Sequence, residues 1–450
     1  MFEGNLLYKL AARAESGKPL RIGLIGAGKF GTTFLSQARY LSGLHVLGVA
    51  DLSIARLHRA LYNAEWQEKQ YSATSFENAL KNGSTYLTDD AESLIKADGL
   101  DLLVEATGDS LVGIHYALQA IEYGRHIIMV NVEADVLAGS LLATKAADAG
   151  VVYSLAYGDQ PALICELVSW ANSCGFNTVC AGKGTKYLPG YHHSTPETVW
   201  KYYEMEGDCN RQHDLNPQMF NSFIDGTKSA IEMAAVSNAT GLLPQTEGLQ
   251  FPPCTIKELP NVCRPLEDGG LLTHKGTIEV VSCMGRNGQL IDQNLRWGVF
   301  IIIEASSDYV KNCFSEYGLF TDNSGRYTVM YRPYHLVGME LSVSVLRAGL
   351  DGAATGVPIG FHADVIATTK KDLSVNEMLD GEGGYCVYGV LKPADMAIKQ
   401  NLLPIGLANR VKLINDVAEG QCIRWSDIDY DSADPVIKFR REMEQNKALI

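Results

Sequence analysis

A chain of 450 residues is too long for one ordinary hydrophobic core, so two or three domains of roughly 100–200 residues each are expected. Its 46% apolar and 20% charged residues are those of a folded globular protein, and no run reaches the roughly 18 apolar residues of a membrane span. The formal net charge of −14 disfavours nucleic acid and anionic membrane as partners, while a small anion held in a local positive pocket remains compatible with it.

The N-terminal MFEGNLLYKLAARAESGKP alternates apolar and charged residues at helical spacing and lacks the pattern of a secretory signal, so a cytoplasmic protein is expected. RIGLIGAGKFGTTF (21–34) follows: an apolar run enters G-x-G-x-x-G at Gly26, Gly28 and Gly31, with Lys29 and Phe30 in the turn, and opens a helical pattern. Dinucleotide binding needs such glycines for a tight turn, for a bare backbone under the pyrophosphate and for a close strand–helix contact. HVLGVAD (45–51) is a second apolar strand, ending in an acid 20 residues after Gly31, where a ribose-binding carboxylate belongs. Asp51 alone suits NAD, whereas Ser53 and Arg56 suit the 2′-phosphate of NADP. Both remain open at this point.

DLLVEATG (101–108), HIIMVNVEAD (126–135) and VVYSLAYGDQ (151–160) read as further strands, with helices over 90–96, 110–123 and 138–149 between them. This is a doubly wound parallel sheet over 1–160. Ligands lie at the carboxyl ends of such strands, so Thr107, Gly108, Asn131, Glu133 and Gly158 are expected to line the cofactor cleft.

After about residue 160 the alternation stops, and 161–334 reads as an α+β substrate domain with an open sheet, its strands near 176–187, 276–284, 294–306 and 326–333. A homo-oligomer is expected through the exposed face of that sheet. Thr195-Pro196 and Asn216-Pro217 are helix starts. CAGKGTKYLPGYHH (180–193) gathers Lys183, Lys186, His192 and His193, and could be a solvated loop or a substrate site. Asp225, Lys228 and Glu232 fall on one face of a helix begun near 217, either as a salt-bridged surface or with Lys228 near a substrate oxygen. YRPYHLVGMELSVSVLRAG (331–349) places Arg332 and Tyr334 at a strand end before an apolar helix, 335–349, that packs back on the first domain. Arg332 there is either a surface turn residue or a fork for phosphate or carboxylate. Residues 350–450 form a small β-rich domain, with ADVIATT, YCVYGVL and LPIGLA strand-like. Ten cysteines without a C-x-x-C pair argue against a zinc ribbon or disulfide framework and read as reduced packing residues.

The segments GAGKFG, VNVEAD, GKGTKYLPGYHH, DGTKSAIEMAAVSNATGL and YRPYHLVGMEL together resemble an oxidoreductase family that joins a homoserine-dehydrogenase-like region, with its Rossmann domain, to a C-terminal SAF domain. Lys228 and Asn131 match the family's helix lysine and strand-end asparagine. Val132-Glu133 stands where homoserine dehydrogenases carry a lysine, which argues against homoserine as substrate. The likeness extends to the 1-deoxy-D-xylulose-5-phosphate reductoisomerase-like enzymes. It implies an NADPH-dependent (or NADH-dependent) rearrangement and reduction to 2-C-methyl-D-erythritol 4-phosphate.

On that resemblance Arg332 and either Lys183 or Lys186 hold the phosphate, Lys228 stabilises oxyanion charge, and His193, Asp225 or Glu133 is the base. A divalent Mg or Mn ion would fall to Glu133 and Asp159. The rivals are a plain NAD(P)-dependent dehydrogenase of a small polyol, sugar acid or homoserine-like substrate, and a non-catalytic NADP-binding regulator.

Overall fold

The computed structural model describes residues 5–208 and 215–447. Of the sequence features above, Cys209 and residues 1–4 lie outside them. The chain divides into two compact units, Met1–Leu163 with Leu336–Pro358, and Ile164–His335 with Ile359–Ile450.

The first unit is built on β1 (Leu20–Ile25), β2 (Leu44–Ala50), β3 (Tyr86–Thr88), β4 (Leu102–Glu105), β5 (His126–Met129) and β6 (Tyr153–Leu155). Every pairing in the sheet is parallel, and the strands lie in the order β3-β2-β1-β4-β5-β6. A parallel sheet covered on both faces buries its strands almost completely, and Leu20, Ile22, Leu24, Leu102, Leu103 and Val104 are fully buried. The strand order reverses between β1 and β4, which makes their carboxyl ends the topological switch point of a doubly wound, Rossmann-type sheet.

The returning segment of this unit puts Leu341, Val345, Leu346 and Ala348 into the same core as β1 and β2. Its helix is short, Ser342–Leu346, and runs into one wider turn over Arg347–Asp351, so the helix expected from 335 begins later. Residues 350–358 belong to this unit and not to a C-terminal one. Asn131 also departs from the expected strand. β5 stops at Met129, and the Asn131 side chain accepts the Ala134 N–H at 3.1 Å, capping a helix over Val132–Asp148. Glu133 therefore stands in a first helical turn, where its charge suits the helix dipole.

In the second unit β7 (Asn177–Thr185), β8 (Thr277–Ser282), β9 (Val299–Glu304) and β10 (Tyr327–Arg332) form a mixed sheet in the order β10-β9-β7-β8, parallel between β7 and β8 and antiparallel elsewhere. Helix Thr227–Thr240 packs on β8 and on the antiparallel pair β11 (Ala363–Thr369) and β13 (Val387–Pro393). From Ile224 to Asn238 every residue is buried except Lys228, which is half-buried.

A small sheet of β12 (Met378–Asp380), β14 (Asn409–Leu413) and β15 (Ile428–Asp429) follows. The chain ends in a helix, Pro435–Lys447, whose buried Arg440 pairs with Asp364 and, at 2.9 Å, with Glu444. LPIGLA is not a strand. Ile405–Leu407 is a single 3-10 turn entered after Pro404. No disulfide joins the nine cysteines among the described residues.

Candidate functional site

Each of the three turn glycines in the first unit has its own steric reason. Gly26 follows β1 with φ +99°, and a Cβ there would collide with the Ala106 carbonyl that follows β4. A Cβ on Gly31 would collide with the Gly26 carbonyl. Gly28 faces open space, with nothing within 4 Å of the Cβ position, and starts the helix Lys29–Ala38 without a side-chain cap. Gly26 therefore holds the turn against the end of β4, and Gly31 holds the helix against the turn. The third leaves bare backbone and the N–H groups of Lys29 and Phe30 at a helix N-terminus, where a diphosphate is stabilised.

The structure brings Asp51, Ser53 and Arg56 together beside that turn. The buried Asp51 carboxylate accepts Ala27 N–H at 2.9 Å and Ser53 N–H at 3.0 Å and pairs with Arg56 at 3.2 Å, while the Arg56 side chain is 59% exposed. Thr107, Gly108 and Asn131 also converge. Asn131 Nδ2 donates to the Asp109 carbonyl at 2.8 Å and lies 3.5 Å from Thr107 Oγ1.

Between them stands Glu105, the last residue of β4, which the sequence reading passed over. It is fully buried, Oε1 accepts Thr107 N–H at 3.0 Å, and Oε2 has no hydrogen-bond partner. Burial pushes its carboxyl up to about 7, against the pull of the hydrogen bond from Thr107. An acid inside the apolar run LLVEA was the signal available in the sequence.

Gly158, expected in the cleft, and Asp159, expected as a metal ligand, follow β6. A Cβ on Gly158, φ +92°, would meet the Leu336 carbonyl and Glu340, so its bareness serves packing within the unit. Asp159 Oδ1 accepts its neighbour's N–H, from Gln160, at 2.9 Å. Among the described residues no group of three or more His, Cys, Asp or Glu side chains is arranged to hold a metal ion. Glu133 and Asp159 accordingly belong to no such group.

In the second unit Lys183, deep on β7, forms a buried ion pair with Glu232. Asp225 does not share a helix with Lys228 and Glu232. The helix Pro217–Ile224 ends at Asp225, and Gly226, φ +91°, turns the chain before the next helix begins at Thr227. The buried Asp225 carboxylate accepts Thr227 N–H at 2.9 Å and the ammonium of Lys370 at 2.8 Å. Lys370 Nζ also donates to the carbonyls of Ser194 and Gly384, both at 2.8 Å. Burial pushes the Asp225 carboxyl up, and Lys370 pulls it back.

The two histidines sit on this network. His193 Nδ1 lies 3.2 Å from the Lys370 carbonyl. His192 stacks on Tyr388 at 5.0 Å and has Tyr187 Oη 3.5 Å from Nδ1. Burial, reinforced by the positive charges of His193 and Lys370, pushes His192 down to about 4, so it is neutral at physiological pH. Tyr187 stacks on Phe251 at 3.9 Å and lies against Gly226.

Lys186 donates to the Tyr202 carbonyl, at the edge of this cluster. Arg332 and Tyr334 form a separate pair at the end of β10, the guanidinium 4.8 Å above the ring. Lys370, just past the end of β11, and Tyr388, on β13, come more than 140 residues after Asp225 and carry no local sequence signal.

Residues 158–341 match a family described as "Oxidoreductase DRL, catalytic domain". The enzyme class this supports is oxidoreductase. The match covers less than half of the chain, and no curated protein matches the sequence.

Solved structures similar to it include an oxidoreductase domain protein from Kribbella flavida, at 18% identity over 38% of this chain and 43% of that one, with a TM-score of 0.28. Myo-inositol dehydrogenase from Lactobacillus casei, solved with NAD(H) and myo-inositol, is 15% identical over 40% and 50% of the two chains, TM-score 0.28. A 3-ketoreductase from Actinomadura kijaniata, solved with NADP, is 13% identical over 38% and 48%, TM-score 0.26. The chain spans half or less of the length of each. The topology described above stands on the strand order itself. No helix among the described residues is long and apolar enough to cross a membrane.

Proposed function

We propose that the chain is an NAD(P)-dependent oxidoreductase acting on a small hydroxylated carbonyl compound with an anionic group. The observation that carries this reading is the turn at the switch point. Gly26 and Gly31 are required by backbone contacts, while Gly28 leaves bare backbone facing open space at a helix N-terminus. Asp51 and Arg56 stand beside it at the position for the ribose that carries the adenine. A bound nicotinamide would supply hydride to a carbonyl carbon or accept it from an alcohol.

On the substrate side the reading gives Lys228 the developing oxyanion, as the half-buried cation on an otherwise buried stretch of helix. Lys183 is neutralised by Glu232, and Asp225 is held by Lys370, so both support the site rather than act in it. His193, which lies 3.9 Å from Glu419, is then the group placed to exchange a proton. Neutral His192 orients the substrate through hydrogen bonds without adding charge.

A second reading, reduction coupled to rearrangement of 1-deoxy-D-xylulose 5-phosphate, is favoured by one observation. GKGTKYLPGYHH, DGTKSAIEMAAVSNATGL and YRPYHLVGMEL, which carry that resemblance, all lie inside the matched segment. The test is nicotinamide absorbance with NADPH or NADH against this ketose phosphate, polyols and sugar acids, followed by product identification. Turnover without skeletal change supports the plain dehydrogenase, and a branched polyol phosphate supports the second reading. Failure to bind either nucleotide overturns both.

A further inference from the structure

We infer that a cavity at the amino end of β2, in the first unit, binds a small monocarboxylate with an apolar body. Its volume is about 310 Å³, near the lower end of the range for small-molecule pockets. It lies between the end of helix Lys29–Ala38, the start of β2, the 3-10 turn Glu68–Tyr71 and the loop before β3. Asp51 and the glycine turn stand at the opposite, carboxyl end of the sheet, about 20 Å away along β2.

The walls are tied to one another before any ligand arrives. Trp66 donates its indole N–H to the Leu35 carbonyl at 2.9 Å, which fixes the ring on the helix. Thr85 N–H donates to the Gln70 carbonyl at 2.8 Å and joins the turn to the loop. Thr85 Oγ1 donates to the Val46 carbonyl at 2.6 Å, and His45 Nε2 lies 2.9 Å from the Ser84 carbonyl, so the loop is held on β2. A site built in this way takes a ligand with little further ordering.

Three polar groups of the lining residues are left over. Ser84 is 5% exposed, and its hydroxyl has no hydrogen-bond partner. Arg39 Nε is likewise buried and without a partner, although the outer nitrogens of the same guanidinium hold the Glu65 carboxylate at 2.7 Å and the Glu65 carbonyl at 2.5 Å. Lys69 also lines the cavity, is exposed, and forms no ion pair among the described residues. A buried donor without an acceptor is costly, and folded proteins meet the need with a protein group, water or a ligand.

All three groups can donate, and no Asp or Glu is among the described residues that line the cavity. The occupant must therefore bring acceptors. Charge decides their kind. Arg39 is already balanced by Glu65. Burial, with the Arg21 charge adding to it and the Ser84 carbonyl opposing, pushes His45 down, so the imidazole is neutral. Lys69 is then the cation left without a carboxylate, and one positive charge suits a monoanion. The two oxygens of a carboxylate answer the Ser84 hydroxyl and the Arg39 Nε–H, whereas a phosphate dianion would be left half-compensated. Leu44, Val46 and the Trp66 ring, whose N–H is already engaged, supply an apolar wall for the body of the acid.

The test is fluorine NMR of the full chain carrying fluorotryptophan. Trp66 is the tryptophan of the first unit, and its resonance is identified by Trp66→Phe. Benzoate is the probe and benzamide its neutral counterpart. Benzoate is expected to shift that resonance saturably, with benzamide and inorganic phosphate silent at the same concentrations and the benzoate affinity unchanged by NADH. Lys69→Met and Ser84→Ala should each weaken benzoate binding at least threefold. Ser84→Ala should do so without lowering the melting temperature, because the hydroxyl it removes bonds to nothing in the protein.

No saturable shift with benzoate, an equal response to benzamide or phosphate, competition by NADH, or unweakened binding by the variants would each overturn the inference. So would a melting temperature that falls with Ser84→Ala. Failure of NADH to bind would instead count against the proposed function alone.

Discussion

Replacing Lys370 by Met tests the polar network beneath the histidines. The ammonium is almost fully buried and donates three hydrogen bonds of 2.8 Å, to Asp225, Ser194 and Gly384. The Ser194 carbonyl keeps a bond from Asn221 at 3.0 Å, but Asp225 is left in the core with only the amide and hydroxyl of Thr227 for partners. Breaking a buried ion pair in this way costs about 3–5 kcal/mol, most of it from the charge left behind.

The carboxyl can escape that cost by taking a proton. Burial already pushes it up, so in the variant its folded pKa rises further above the unfolded value, and the native state binds the extra proton. That support is lost as pH rises from the unfolded carboxylate range through the raised folded pKa, so the deficit should be smaller at pH 5 than at pH 8.

Asp225→Asn in the same chain removes the charge and should recover much of the loss. Urea unfolding followed by tryptophan emission suits the measurement, since four of the five tryptophans lie in the second unit. A deficit below about 1 kcal/mol at pH 8, or one equal at both pH values, would refute the argument. So would a double variant no more stable than the single one.

The first unit offers two further tests. Glu105→Gln should flatten the pH dependence of stability. The wild-type carboxyl, raised from 4.5 to about 7, favours folding below pH 4.5 and withdraws that support as pH climbs to 7, a change of about 3 kcal/mol that urea midpoints across this range would show missing in the variant. Gly28→Ala should leave the melting temperature within a few degrees of wild type yet weaken dinucleotide binding at least tenfold, because its Cβ meets nothing in the protein. Gly26→Ala, at φ +99° against a carbonyl, should instead lower stability by several kcal/mol. The reverse pattern, seen by thermal melts and fluorescence titration, would deny the turn its phosphate role.

What could be read from the sequence follows the range of the interaction concerned. β1, its glycine turn and Asp51 lie within about thirty residues and are constrained by local sterics, so periodicity and spacing locate them. The four strands of the second sheet were legible for the same reason, as long apolar runs.

Errors arose where one apolar pattern ran through a change of backbone. HIIMVNVEAD looks like a continuous strand, yet Asn131 with acids two and four residues later is a helix start that outweighs the apolar run. AIEMAAVSNATG continues the helical pattern begun at Pro217 so smoothly that the left-handed turn at Gly226 disappears into it, and with it the break that leaves Asp225 at the end of one helix and Lys228 at the start of the next.

The partners that decide charge were the least legible. Lys183 and Lys370 look alike as free cations in the sequence. Each is neutralised by a carboxylate that only the tertiary fold delivers, 49 and 145 residues away along the chain.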